Sequence, residues 1–306
     1  MKPMNILVTG SSGTIGTALC EELLARNYGV TGFDLKPNKW SSTVNERTVI
    51  GDLTRPSSLE AISGDWDAVV HLAANARVYK LVLNPVLARD NLEMTLNLLE
   101  YMRRRKITKI IFASSREVYG NSYRIKRSEK ELVRVDGCES PYAASKLGGE
   151  ALIHAYHHCY GINYAILRLS SVYGRYDDSD RVIPLFIKSA QTNKALIIYG
   201  ERKLLDFTFI DDAVEGIIKA IEHFESARND VFNIASGEAV SLLRVARIIR
   251  KNMRTNVDIA IEDSRTGEGI RFVAYITKAK RKLAYKPKTA IELGLRKTIQ
   301  WYAEMK

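Results

Sequence analysis

The segment Gly10-Ser11-Ser12-Gly13-Thr14-Ile15-Gly16 follows an apolar run at residues 6–9 and opens an amphipathic stretch at 15–26. A strand that ends in such a loop and feeds a helix has few folds open to it. Glycine at the first place permits a tight turn, at the second a close backbone approach to a pyrophosphate, and at the third close packing of helix on strand. The helix then offers the unpaired N–H groups of its first turn, around Thr14 and Ile15, and its positive dipole end to the phosphates. A glycine motif alone is a weak signal. Its position between a strand and a helix makes this one a dinucleotide site.

The rest of the chain repeats the alternation. Apolar runs at 29–33, 68–72, 109–114 and 163–169 read as strands, and 85–105 and 142–160 read as helices. This βαβα order predicts the α/β class: a Rossmann-type, doubly wound parallel sheet with helices on both faces, which binds ligands at the carboxyl ends of its strands. After about residue 170 the alternation loosens. Helices are expected at 182–191, 211–224, 242–252 and 290–305, with a strand at 195–199. The 306 residues suit one large domain or two intimate ones. The expected division is a dinucleotide domain at 1–170, with parts of 200–235 returning to it, and an interleaved smaller C-terminal α/β lobe at 171–306.

Asp34 closes the second run. An acid there accepts hydrogen bonds from the adenosine ribose hydroxyls and repels a 2′-phosphate, which favours NAD over NADP; Lys36 nearby works against this. Asp52 and Leu53, after another strand end, are placed to touch the adenine. Leu72, Ala73 and Ala74 follow His71 with small side chains that leave room for the cofactor along the sheet edge.

Tyr142-Ala143-Ala144-Ser145-Lys146 sets Tyr and Lys one helical turn apart on one face. A free tyrosine, with a pKa of about 10, is a poor base at neutral pH. A lysine ammonium and the positive nicotinamide ring would stabilise the phenolate. Tyr142 then removes a proton from a substrate hydroxyl as hydride leaves the same carbon. Ser115, at the end of the 109–114 run, is placed to hydrogen-bond the same oxygen.

With these pieces assembled, the chain resembles the extended short-chain dehydrogenase/reductases, in their NAD-dependent nucleotide-sugar epimerase/dehydratase family, and is similar to the UDP-glucose 4-epimerases among them. The motifs are Gly10-x-x-Gly13-x-x-Gly16, Asp34, His71-Leu72-Ala73-Ala74, Ser114-Ser115-Arg116-Glu117-Val118-Tyr119-Gly120, Tyr142-x-x-x-Lys146, Arg168-Leu169-Ser170-Ser171-Val172-Tyr173-Gly174, Asp206-Phe207-Thr208-Phe209-Ile210-Asp211-Asp212 and Arg265-Thr266-Gly267-Glu268. They run in order over nearly the whole chain. The resemblance implies tightly bound NAD, a nucleotide-diphosphate sugar such as a UDP-hexose held by the C-terminal lobe, and transient oxidation at C4. It gives Tyr142 the role of base and acid. Lys146 lowers its pKa and binds the nicotinamide ribose, and Ser115 orients O4. It also implies a homodimer through helices 85–105 and 142–160, the latter presenting Leu152, Ala155 and Tyr156.

Three departures from the family pattern matter. Glu117 stands where 4-epimerases carry a small or uncharged residue and where dehydratases and decarboxylases carry glutamate. It joins the catalytic candidates and opens an alternative, a 4,6-dehydratase or a UDP-glucuronate decarboxylase-like enzyme. The aspartate that precedes that glutamate in dehydratases is here Arg116, a permanent cation and a poor acid. Glu117 could equally pair with Arg116. Ser171 and Leu205 replace a common Asn and a phosphate-gripping Arg. Arg175, Arg181, Arg202 and Arg271 are the candidates to replace that phosphate grip, and the residues expected to contact the substrate as a whole are Arg77, Ser115, Arg116, Ser171, Arg175 and Arg271.

Other features carry less. The net charge of +11 fits an anionic substrate, and the run Arg103-Arg104-Arg105-Lys106 reads as a solvated helix end, not a nucleic-acid patch. The basic stretch 123–130 reads as a solvated loop, with a lid over the sugar as the other possibility. His154, His157 and His158 lack a companion ligand and no metal is expected. Three cysteines without a CxxC pair fit a reducing cytoplasm, and the absence of a long apolar run predicts no membrane span. A non-enzymatic, dinucleotide-sensing regulator on the same fold would show a broken catalytic set; here Ser115, Tyr142 and Lys146 are all present.

Overall fold

The computed structural model describes residues 4–121, 124–267 and 271–305. Seven parallel strands form its central sheet: β1 (Asn5–Thr9), β2 (Gly29–Asp34), β3 (Thr48–Ile50), β4 (Ala68–His71), β5 (Lys109–Ser115), β6 (Asn163–Leu169) and β7 (Asp230–Ile234). Their spatial order is β7-β6-β5-β4-β1-β2-β3. The order reverses between β1 and β4, and that reversal opens the crevice in which such sheets hold a dinucleotide. The Rossmann-type α/β expectation is met, and β7 comes from the C-terminal third of the chain.

The strands are nearly all apolar because both faces are covered. Ile6, Val8, Val70, Ile111 and Leu167 pack with helix α1 (Thr14–Ala25), through Leu19 and Leu23, and with a helix at Ile210–Glu222. Leu7, Val69, Ile110, Phe112 and Ile166 face the other way. They meet Leu98, Leu99 and Met102 of helix α2 (Val86–Arg105) and Ile153 of helix α3 (Pro141–Tyr160).

The C-terminal lobe shares the first of these cores. Phe186 and Ile187 of helix Val182–Gln191, Val245 and Ile249 of helix Leu242–Asn252, and Leu295 and Tyr302 of helix Ile291–Glu304 all join it. Among the described residues four two-stranded ladders join further segments, including Leu196–Tyr199 with Ile259–Glu262 and Lys126–Arg127 with Val273–Ala274. Two expectations change here. The helix expected to run to 224 ends at Glu222, and Phe224–Ala227 forms a separate turn of helix. The basic stretch is no free loop over its described part, 124–130: Arg127 is buried, donates to Tyr119 O at 2.9 Å and pairs with Glu131 at 2.8 Å. Tyr123 lies outside the described residues.

Candidate active site

The glycine loop has the geometry the sequence requires. Gly10 adopts φ +75°, and a Cβ there would stand 2.7 Å from Ala73 N, so the loops after β1 and β4 touch. A Cβ on Gly16 would stand 2.0 Å from Gly10 O, which is why the third glycine admits no side chain. Gly13 is the N-cap of α1 and makes no side-chain bond, so the first-turn N–H groups of the helix face the loop. Thr14 donates its hydroxyl to Tyr176 O at 2.9 Å and ties this end of the helix to the lobe, while Ile15 packs on the core.

Asp34 ends β2 with its carboxylate fixed by backbone amides: Ser12 N donates at 2.9 Å and Lys36 N at 3.0 Å. Asn38, buried beneath this loop, donates to Ser11 O and Thr17 Oγ1 and accepts from Trp40 N and Ser41 N. The loop after β2 is thus bolted to the glycine loop. Asp52 caps its own turn by accepting from Thr54, and Leu53 is buried in the core below β3. Leu72, Ala73 and Ala74 are half-buried at the crevice. A short passage of backbone between glycine and alanine, a free helix end and a held acid fit a dinucleotide without a 2′-phosphate. Gly10, Gly13, Thr14, Ile15, Gly16 and Asp34 would hold it.

Beyond the same sheet edge lie Ser115, Tyr142 and Lys146. Ser140 caps α3 by accepting from Ala143 N at 3.2 Å, and Pro141 occupies its first turn. Tyr142 and Lys146 are thereby turned toward β5, and both are buried. Ser115 lies close enough to the Tyr142 hydroxyl to favour its ionised form. Lys146 Nζ donates to Ala113 O at 2.8 Å and lies 5.2 Å from the centre of the Phe112 ring. Burial pulls the Lys146 pKa down to about 8, against the opposing pull of Glu150.

The electrostatics correct one expectation. Burial holds the Tyr142 hydroxyl above its ordinary pKa, and the cations that oppose this are Arg181 and Arg116, while Glu117 adds to it. Lys146 Nζ lies 6.0 Å from the centre of the tyrosine ring and donates to Ala113 O. Arg181, one of the phosphate-grip candidates in the sequence, donates to Ala76 O at 3.2 Å in the loop after β4, and its charge acts on Tyr142.

Glu117 lies in a turn of 3-10 helix, Arg116–Tyr119, whose cap is Ser115: the serine Oγ accepts the Glu117 N–H at 3.2 Å. Its carboxylate pairs with Arg116 at 2.7 Å, with side-chain exposures of only 8% for Glu117 and 12% for Arg116.

The other substrate-side candidates scatter. Arg77 faces Asp177 and Asp180. Arg175 pairs with Asp211 and lies over Tyr176. Ser171 donates its backbone N–H to Asp206 O, and Arg271 is exposed beside Leu204. Arg202 lines an open cleft of about 710 Å³ with Glu201, Glu262 and Asp263. His154 bonds Tyr164 and His157 bonds Ile162 O. Among the described residues no group of three His, Cys, Asp or Glu could hold a metal, and no helix is long and apolar enough to cross a membrane.

Several residues that shape the site went unread in the sequence. Asn91 of α2 donates to Ser145 Oγ and Asn75 O and accepts from Asn75 N, which locks α2, α3 and the loop after β4 together. Asp206 is fully buried and accepts from Ser236, Gly237 and Ala274, pinning the lobe's loops. Arg265 lies over two rings, 3.8 Å from the centre of Tyr199 and 5.0 Å from that of Tyr79. Its neighbour Gly267 abuts Ser140 at the head of α3, while Glu268 lies outside the described residues. A polar residue on an otherwise apolar helix face was the available signal for Asn91; Asp206 and Arg265 carried none beyond their motifs.

A switch-point sheet with a dinucleotide loop, joined to a Ser–Tyr–Lys set, defines an extended short-chain dehydrogenase/reductase. The chain belongs to the NAD dependent epimerase/dehydratase family, whose model matches residues 6–235. It is 31% identical over 315 residues to a UDP-glucuronate 4-epimerase of Thermodesulfobacterium geofontis, covering 97% of this chain and 96% of the relative. It superposes on a Thermotoga maritima UDP-glucose 4-epimerase, solved with UDP-glucose, with a TM-score of 0.91 at 27% identity over 99% of both chains. On a Bacillus cereus UDP-glucuronic acid 4-epimerase, solved with UDP-glucuronic acid and NAD, the TM-score is 0.87 at 31% identity over 99% of this chain and 100% of the other. The reading as a non-enzymatic regulator is set aside: this is an NAD-dependent enzyme.

Proposed function

We propose that the chain is a nucleotide-sugar 4-epimerase acting on a UDP-hexose or UDP-hexuronate. The observation that carries the reading is the buried set at the carboxyl edge of the sheet: Tyr142 beside Ser115, one helical turn from Lys146. When bound, NAD supplies hydride acceptance and return at the sugar's C4. Ser115 Oγ positions O4, and Tyr142 takes the O4 proton and gives it back. Lys146 holds the floor of the site through Ala113, and the guanidinium groups of Arg181 and Arg116 favour the phenolate. An anionic diphosphate suits a guanidinium, and Arg265, over the rings of Tyr199 and Tyr79, is a candidate for it.

The dehydratase or decarboxylase alternative asked Glu117 to act as a base. Its buried pairing with Arg116 speaks against that role. Free thiols at Cys20, Cys138 and Cys159 suit the reducing cytoplasm. For assembly the reading is a homodimer through α2 and α3. Leu92, Leu96 and Leu152 line an open cleft of about 700 Å³ between these helices, and Leu96 is 40% exposed. Tyr156 is not part of that surface: it is buried and bonds Glu100 of α2 at 2.6 Å.

The test is incubation of purified protein with UDP-glucose, UDP-galactose, their N-acetyl forms and UDP-glucuronate, followed by chromatography and mass spectrometry. An isobaric product with shifted retention supports the reading. Loss of water or of CO2 would replace it with the Glu117 alternative. For assembly, Leu96→Glu should convert a dimer to a monomer in light scattering.

A further inference from the structure

Ser115 serves two neighbours at once. It lies beside the Tyr142 hydroxyl, and it accepts the Glu117 N–H at 3.2 Å. The Glu117 carboxylate is buried two residues from Ser115, near enough for its charge to act on the Tyr142 hydroxyl, the group that must face O4 of the sugar. On the 4-epimerase reading, on which this inference rests, that placement is a hazard. Oxidation at C4 makes a ketone, and the C5–H beside it becomes acidic. A carboxylate that takes this proton leaves the C–H electron pair in an enolate spread over C5, C4 and O4. Reprotonation restores the sugar; where C6 carries a hydroxyl, the pair can instead expel it as water once it is protonated.

We propose that Arg116 is a positioning residue that keeps Glu117 off C5 during the lifetime of the ketone. Nη2 of Arg116 meets Oε1 of Glu117 at 2.7 Å, with both side chains nearly buried. The guanidinium is fixed from a second side, 5.7 Å from the centre of the Phe272 ring, which stacks in turn on Tyr119. Adjacent residues in one short turn thus hold each other, and the ion pair sets the direction in which the carboxylate points.

The experiment is turnover in D2O of whichever UDP-sugar the wild type epimerises, with deuterium at C5 read by NMR and mass spectrometry. Wild type should yield the epimer without deuterium at C5. Arg116→Gln should raise C5 deuteration per turnover by about 10²-fold, the low end of what a placed general base contributes. From a hexose it should also give a product lighter by one water. The double variant Arg116→Gln with Glu117→Gln should return C5 deuteration to the wild-type level. Arg116→Lys, which keeps a cation without the planar fork, should fall between and serves if the glutamine variant fails to fold. No rise in deuteration in either single variant overturns the proposal. So does free exchange in wild type, or exchange undiminished in the double variant. If wild type makes no 4-epimer from any sugar, the function reading itself fails, and that result is seen before any variant is made.

Discussion

Arg168 of β6 grips Glu150 of α3 with two parallel bonds, Nε to Oε1 at 2.9 Å and Nη2 to Oε2 at 2.7 Å, and both side chains are buried. Ser114, the residue before Ser115, donates to the same Oε1. Glu150 lies one turn beyond Lys146. The bonds therefore lock the catalytic face of α3 to two adjacent strands, and the guanidinium also lies 4.7 Å from the centre of the Tyr119 ring. Removing the carboxylate alone leaves a buried cation. Glu150→Ala should lose about 3–5 kcal/mol of stability in urea unfolding. Combining Glu150→Leu with Arg168→Met should recover most of it. A Glu150→Ala protein as stable as wild type would show that the pair does not hold the helix.

Gly16→Ala addresses the cofactor loop. The added methyl would enter to 2.0 Å of Gly10 O, so α1 must withdraw from the loop. Overpacking of this kind costs about 1–3 kcal/mol. If the loop carries the cost, the Kd for NAD rises about ten- to hundred-fold. Titration calorimetry with NAD measures it, and unchanged affinity would move the pyrophosphate elsewhere.

The contrast between what was legible and what was not has a physical cause. Strands such as Asn163–Leu169 announce themselves because both of their faces are buried, which demands a continuous apolar run. The glycine loop and the Tyr142–Lys146 pair are local, so their spacing is visible along the chain. Ile259–Glu262 went unread because it is short and mostly exposed, and its partner, Leu196–Tyr199, lies some sixty residues earlier. Arg127 looked like part of a solvated basic loop because the groups that bury it, above all Tyr119 and its carbonyl, are brought to it only by the folded chain. The Arg116–Glu117 pair was visible as an option, since adjacent opposite charges often meet. Its burial beneath Phe272 was not.

Tyr142→Phe removes only the phenolic oxygen. The ring still fills its buried place, and only the hydroxyl beside Ser115 is lost. Turnover should fall by about 10²–10⁴-fold, the usual contribution of a placed acid–base group, with NAD binding retained. Steady-state assays alongside NAD content measured on the purified protein separate the two. A Tyr142→Phe enzyme with wild-type turnover would remove Tyr142 from the chemistry.

Lys146 predicts a conflict between stability and function. Burial lowers its pKa from 10.5 to about 8, so the folded chain binds this proton less tightly than the unfolded chain does. Below pH 8 both states carry the proton, and the folded state bears the full cost of a buried ammonium, about 3 kcal/mol for a displacement of this size. Between pH 8 and 10.5 the unfolded chain holds more protons than the folded one, so this contribution improves with rising pH until the penalty vanishes. Lys146→Met removes the charge and keeps the length of the stem, at the expense of the 2.8 Å bond to Ala113 O. That bond returns about 1 kcal/mol. The variant should therefore be more stable than wild type at pH 7 by about 2 kcal/mol, with the advantage shrinking toward pH 10, and yet be catalytically impaired. Urea unfolding of both proteins across this pH range tests the sign. An advantage that grew with pH would mean the ammonium is stabilised in place, not merely tolerated for the reaction.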